Sequence, residues 1–433
     1  MKKVLYSVLL TLCVIALSQL KAQDRPEWQL KSLGIDALHA NGFTGKGVRI
    51  AVLDNGFTNI DQIDAFDSLK LIYQQDLVDR DSNVVEPCPA AGHCVHGTTV
   101  LSVLSAKSPD MTGAAPDAEI LLFRTEDDSI EQKIEETYWA EAVRIADSLG
   151  VDIILSSLGY LEFDDGSSYT LQERDGKTAV ASKAALDAAR KGMLVVVSAG
   201  NEGSLGINVP GDADSILAVG SLNKALKIST FSSVGPTGDG RIKPDVVALG
   251  EKVFYIDELG NLQLGEGSSF SAPLIAGLAA CLWQAQAECG FPPDAMFIRD
   301  AILFSADKYS NPNNYYGHGL PNAAVAYKFL TNKDLTVSIN DQDFAQTPEI
   351  SLFPNPSEKE TFLTISLISP TSHILIEIFD QTGSKRLWTK HAFAQQGNSL
   401  KIPLPYMDHA GNYLVKISDE QGRVLGGKVW VKR

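Results

Sequence analysis

The run Val48-Arg-Ile-Ala-Val-Leu53 is β-rich and almost continuously apolar, without the alternation of a half-exposed strand. A run of that kind marks a strand covered on both faces, as in parallel sheets flanked by helices. It ends in Asp54-Asn-Gly56, an acid at the strand's carboxyl end beside a flexible glycine. Open α/β sheets carry their sites at that edge. Taken alone, Asp-x-Gly is also what a turn-holding aspartate looks like.

Two further stretches carry chemistry of the same kind. His96-Gly-Thr-Thr-Val100 runs into Leu101-Ser-Val-Leu-Ser-Ala106, spaced for a helix. A histidine at a helix start next to glycine is open on one side and can serve as a general base near neutral pH. His93 competes with it, but Gly97-Thr98 follows His96 and the helix starts there. Gly265-Glu-Gly-Ser-Ser-Phe-Ser-Ala-Pro-Leu-Ile-Ala-Gly277 reads as a loop delivering Ser269 to the N-terminus of a closely packed helix, with Pro273 in the first turn. Free N–H groups and the helix dipole favour an anion there, such as the oxyanion left by attack of a serine hydroxyl. A plain serine N-cap is the alternative reading.

The rest of the chain bounds the answer. Its 433 residues suggest two or three domains with ample core. The balance of 37 Lys+Arg against 53 Asp+Glu gives −16, which argues against nucleic acid and anionic membranes as partners. Met1-Lys-Lys, an apolar run from Val4 to Leu17 and Leu20-Lys-Ala22 read as a signal peptide over 1–22. That run is shorter than the ~20 residues a spanning helix needs. Cys13 leaves with it, so four cysteines remain in an exported chain, enough for two disulfides. Cys88 and Cys94 could close a small loop, whereas Cys281 and Cys289 can pair only if their helix ends before Cys289. Neither pair has metal-ligand spacing. Residues 28–42 read as one short helix ending at glycine.

Asp54-x-Gly56, His96-Gly-Thr98 and Gly267-Ser-Ser-Phe-Ser-Ala-Pro273 together resemble the three active-site motifs of the subtilisin-like serine peptidases, the subtilases, in that family's order. The resemblance covers roughly residues 28 to 330. It implies a three-layer α/β domain over 23–335 with a mainly parallel sheet, and a secreted endopeptidase acting on protein or peptide substrates. Asp54, His96 and Ser269 match the catalytic residues, and Asn201 in Leu194-Val-Val-Val-Ser-Ala-Gly-Asn201 matches the oxyanion-hole asparagine. Ser157-Leu158-Gly159 and Ala199-Gly200 match the walls that receive the substrate, which implies a neutral slot for large apolar side chains just before the cut. Ser268 replaces the usual threonine, and Leu249 stands where proline is usual. The stretch after Ala22 is shorter than the ~40 residues that usually fold alone, so no conventional prodomain is expected. The motifs call for no cofactor, but calcium is a candidate ligand in this family. The acidic loop Asp76, Asp79, Asp81 and Glu86 is where it would bind, although its spacing matches no calcium loop. The acidic segment from Glu126 to Glu136 corresponds to a rim of the family's cleft, where its carboxylates would favour a basic residue upstream of the cut. The alternative function is a catalytically silent subtilase fold serving as a surface binding module.

A polar linker over 336–349 precedes a region of a different kind. Leu363-Thr-Ile-Ser-Leu, Ile374-Leu-Ile-Glu-Ile-Phe379 and Tyr413-Leu-Val-Lys-Ile417 alternate, with turns at Gln381-Thr-Gly383 and Glu420-Gln-Gly422. That pattern predicts a small β-sandwich over 350–433. Phe353-Pro-Asn-Pro, Gly411-Asn-Tyr-Leu-Val-Lys-Ile and Lys428-Val-Trp-Val-Lys-Arg433 resemble the C-terminal sorting domain of type IX secretion. The resemblance implies the type IX secretion machinery as partner and a secreted or cell-surface location, reached through the periplasm.

Overall fold

The computed structural model describes residues 25–85, 94–290, 292–335, 349–353, 361–366, 373–379, 386–393, 399–405, 411–419 and 424–432. The expected signal peptide, Glu86, Cys88, His93, nearly all of the expected linker and both expected sandwich turns lie outside these residues.

Seven strands make up the main sheet: β1 (Arg49–Asp54), β2 (Lys70–Asp76), β3 (Glu119–Arg124), β4 (Ile153–Ser156), β5 (Leu194–Ser198), β6 (Leu217–Leu222) and β7 (Val246–Leu249). Their order is β2-β3-β1-β4-β5-β6-β7, and every neighbouring pair is parallel. The unalternating runs are explained by the layers. On β1, Ile50 and Val52 enter one buried cluster, shared with the helices His96–Ser105, Ser268–Glu288, Ala295–Ser305 and Ala323–Thr331. Ala51 and Leu53 enter a second, shared with the helices Ile134–Ser148 and Val180–Arg190. The sheet is therefore the middle layer of three, as expected from the sequence. After β3 the chain crosses to the other side of β1 to form β4, so the order reverses around the carboxyl end of β1, and Asp54 stands there. Crevices form at such reversals.

Three local expectations need correcting. Residues 28–42 form two short helices, Glu27–Lys31 and Ile35–Ala40, parted at Gly34 with φ 77°. The helix carrying Ser269 runs to Glu288, so Cys289 is only its cap, and Cys281 and Cys289 are both free. Cys94 is disulfide-bonded. Pro273 lies inside the helix, which begins at Ser268, and not in its first turn.

After β7, β8 (Glu251–Ile256) and β9 (Leu262–Glu266) pair antiparallel as a separate ribbon. In the C-terminal region, β10 (Glu349–Phe353), β11 (Phe362–Ser366) and β14 (Ser399–Pro403) form one antiparallel sheet. A second contains β12 (His373–Phe379), β13 (Arg386–Phe393), β15 (Gly411–Asp419) and β16 (Val424–Lys432). Leu363, Ile365, Ile376, Ile402, Val415 and Trp430 share a buried cluster between them, which makes the sandwich. This sandwich also leans on the first domain. Phe379 packs edge-on against Tyr309 at 5.3 Å, and the buried Lys416 amine sits 4.5 Å over the same ring and donates to Ser310 Oγ. Among the described residues, no helix is long and apolar enough to cross a membrane.

Candidate active site

The geometry begins at the end of β1. Asp54 is fully buried; its Oδ1 accepts the Asn55 N–H at 2.9 Å and meets His96 Nδ1 at 2.7 Å. His96 opens its helix and keeps 33% of its side-chain surface, so the ring's far edge faces the cleft. The close approach depends on Gly97, where a Cβ would stand 2.2 Å from the Gly56 carbonyl oxygen. Burial alone would lower the His96 pKa. The charge and hydrogen bond of Asp54, with the charge of Asp128, outweigh it and hold the pKa above its ordinary value.

The second half of the site is the entry to the Ser268–Glu288 helix. A Cβ on Gly267 would lie 2.8 Å from Ser269 Oγ and 3.5 Å from Asn201 Nδ2, so hydroxyl and amide flank a single point. Asn201 is held by its other end: Oδ1 accepts from the Ser268 N–H at 2.8 Å and from Ser268 Oγ at 3.0 Å. This leaves Nδ2 as the donor turned toward Ser269. Pro273 has no N–H to give to the carbonyl four residues back. That carbonyl belongs to Ser269, and Ser157 Oγ–H donates to it instead at 2.8 Å.

A cleft of ≈ 630 Å³ runs along this edge, lined by His96, Ser157, Leu158 and Gly159 on one side and by the segment 126–131 and Asp164 on another. Of the acids expected there, Glu136 turns away to Tyr169 Oη and the Ala181 N–H. Glu126 is buried against Thr125 Oγ1 and Tyr160 Oη, and burial followed by the Glu135 charge pushes its pKa well up. Glu131 is driven to about 7 by burial of its carboxyl and by the charges of Glu135, Asp164 and Asp128. Asp128 is a strut: Oδ1 accepts from Asn55 Nδ2 and Oδ2 from the Cys94 N–H, each at 2.8 Å. Asn55 Oδ1 in turn accepts the Gly97 N–H at 3.2 Å. The sequence offered no signal for Asp164 or for this strut, because both depend on loops meeting across the sheet edge.

Ala199 and Gly200 stand apart from that cleft. They are buried, and Asn208 abuts both glycines: a Cβ on Gly159 would meet its Cβ, and a Cβ on Gly200 its Cγ, each at 2.8 Å. The acidic loop after β2 does not fit calcium: Asp76 and Asp79 both bind Arg124 Nη1, at 2.7 and 2.6 Å. Among the described residues, no group of three or more His, Cys, Asp or Glu is gathered to hold a metal.

Comparison with known proteins bears on what this arrangement is. Residues 45–319 match the model of the subtilase family, and residues 351–432 match the secretion system C-terminal sorting domain. A domain of that kind addresses its chain for export, so the chain is a secreted or cell-surface one. Subtilisin-like protease SBT6.1 of Arabidopsis thaliana is 26% identical over 320 residues, covering 71% of this chain but only 28% of that protein. Thermitase of Thermoactinomyces vulgaris is 29% identical over 286 residues, 66% of this chain and 90% of thermitase. In fold, the prenylagaramide maturation protease PagA overlays with a TM-score of 0.55 at 24% identity, covering 69% of this chain and 99% of PagA. The match over 45–319 takes in every residue gathered around the Asp54–His96 pair, and on it the chain belongs to the subtilase family.

Proposed function

We propose that this chain is an exported serine endopeptidase. Ser269 Oγ attacks the carbonyl carbon of a peptide bond while His96 Nε2 takes the hydroxyl proton. Asp54 holds the ring through Nδ1 and stabilises the imidazolium. Asn201 Nδ2 and the Ser269 N–H donate to the oxyanion as it forms. The C–N bond then breaks, His96 returns the proton to the leaving amine, and water releases the acyl group by the same route. The observation that carries this reading is the 2.7 Å Asp54–His96 contact beside a serine and an amide donor that flank one point. The test is casein hydrolysis by the secreted protein with and without a serine-directed covalent inhibitor. Turnover that the inhibitor leaves intact would sink it.

The acidic cleft wall adds a preference. Asp127, Glu131 and Asp164 line it with no lysine or arginine among its lining residues, which suits a basic side chain a few residues upstream of the cut. The sorting domain directs the chain to the type IX machinery. Deleting residues 350–433 is expected to leave the protein in the periplasm, and its appearance in the medium would refute that address. Because the sandwich covers Tyr309, the shortened protein should also melt lower than the full chain.

A further inference from the structure

Alternation along β12 and β15 puts two sets of side chains on opposite faces of their sheet. Ile376 and Ile378, with Tyr413, Val415 and Ile417, enter the sandwich's own core. The residues between them form the outer face, where Glu377 lies opposite Lys416 and Phe379 opposite Leu414. The outer face of a sandwich sheet is ordinarily polar and wetted. Here all four residues are buried, and Phe379 and Leu414 belong to an apolar cluster of the first domain.

One edge of the first domain covers them. Tyr309 and Ser310 follow the helix Ala295–Ser305, and β16 runs beside the helix Ala323–Thr331. Tyr309 packs on the His318 ring at 5.4 Å, and the His318 N–H donates to the Asp245 carbonyl at 2.8 Å, just before β7 begins. The sandwich thus sits at the amino ends of the parallel strands. The cleft lies at their carboxyl ends, and its lining residues all come from the first domain.

We propose that this patch, and not the linker, holds the sandwich, which remains on the first domain as a noncovalent subunit once the linker is cut. The inference concerns the sorting domain and goes beyond the endopeptidase reading. Separation would return Phe379, Leu414 and Tyr309 to water together, which the hydrophobic effect opposes. Rehydrating the Glu377–Lys416 pair, whose charged atoms are 3.7 Å apart, works the other way. The apolar contacts therefore carry the attachment. The Lys416 amine, over the Tyr309 ring and on Ser310 Oγ, fixes where the sandwich sits.

The experiment uses the full secreted chain with the recognition sequence of a site-specific protease inserted in the linker, between residues 340 and 341. After complete cutting under native conditions at about 1 μM, both fragments should leave a size-exclusion column together, at the volume of the uncut chain. Phe379 lies outside the sandwich's own core, so Phe379→Ala should leave the sandwich folded while weakening the attachment about tenfold or more. Circular dichroism of the intact variant checks the fold. Unaltered fragments that part at this concentration, each still folded, overturn the proposal. So do Phe379→Ala fragments held as tightly as the unaltered ones. Neither readout needs hydrolysis by Ser269, so loss of the endopeptidase reading would leave this proposal standing.

Discussion

The proposed reacting centre and the cleft beside it are built differently. Asp54, His96, Asn201 and Ser269 each sit at or just past the end of a strand or at the start of a helix, where the backbone fixes the side chain's origin. Their partners lie close in the same constellation: Asp54 to His96, and Asn201 to Ser268. The walls depend on distant loops. Asp128 reaches Asn55 and Cys94, Glu136 reaches Tyr169 and Ala181, and Asn208 abuts both Gly159 and Gly200. A family can hold the first arrangement constant while the second changes what enters.

If that contrast is right, changes at the centre should be far more damaging than changes at the walls. Ser269→Ala or His96→Ala should reduce turnover about 10⁶-fold, the size known for subtilisin itself, with the protein still folded. Comparable turnover in either variant would break the mechanism. Asn201→Ala should lose about 10²–10³ in kcat, again the size known for a subtilisin oxyanion donor. An unchanged kcat would remove Asn201 from that role.

The strut lies between the two regions and should act on pH dependence. The raised His96 pKa means the ring gains its proton at higher pH than a free histidine, near 6.5. On the proposed mechanism the neutral ring is the base, so the acidic limb of kcat/KM should fall above that value. Asp128→Asn removes one of the charges that raise it and should move the limb toward lower pH. A limb that stays put would mean Asp128 only braces the loop. The smallest effect belongs to the wall: Glu131→Gln should weaken an upstream Arg or Lys preference only a few-fold, because exposed pairs are worth about 0.2–1 kcal/mol. In the unmodified enzyme that preference should grow as pH rises through about 7, where Glu131 loses its proton. A preference flat across that range in a peptide library would remove Glu131 from the subsite.

The sheet was legible because β1, β4 and β5 are covered on both faces, which leaves apolar runs that no exposed strand would have. Asp54 and Ser269 were legible for a related reason, since each stands where such an element begins or ends. What the sequence hid were matters of which side chain meets which. Nothing near Pro273 indicates that Ser157 will serve the carbonyl it leaves free. Nothing near Glu136 says that it turns to Tyr169 while Glu131 stays at the rim. Asn208 carried no signal in the sequence, because its contact with Gly159 and Gly200 exists only once the two loops meet. The Cys281–Cys289 pairing failed for a local reason, since the helix runs unbroken to Glu288 and leaves no bend between the two cysteines.

The Ser157–Ser269 hydrogen bond also has a meaning in time. It joins the edge of β4 to a helix that leaves the ribosome much later, and β1, which holds Asp54, precedes both. A nascent chain can form its first strands and helices with Ser269 still unmade. Contacts so distant along the chain close slowly. On the proposed mechanism, hydrolytic power is therefore expected to arrive near the end of the catalytic domain's folding.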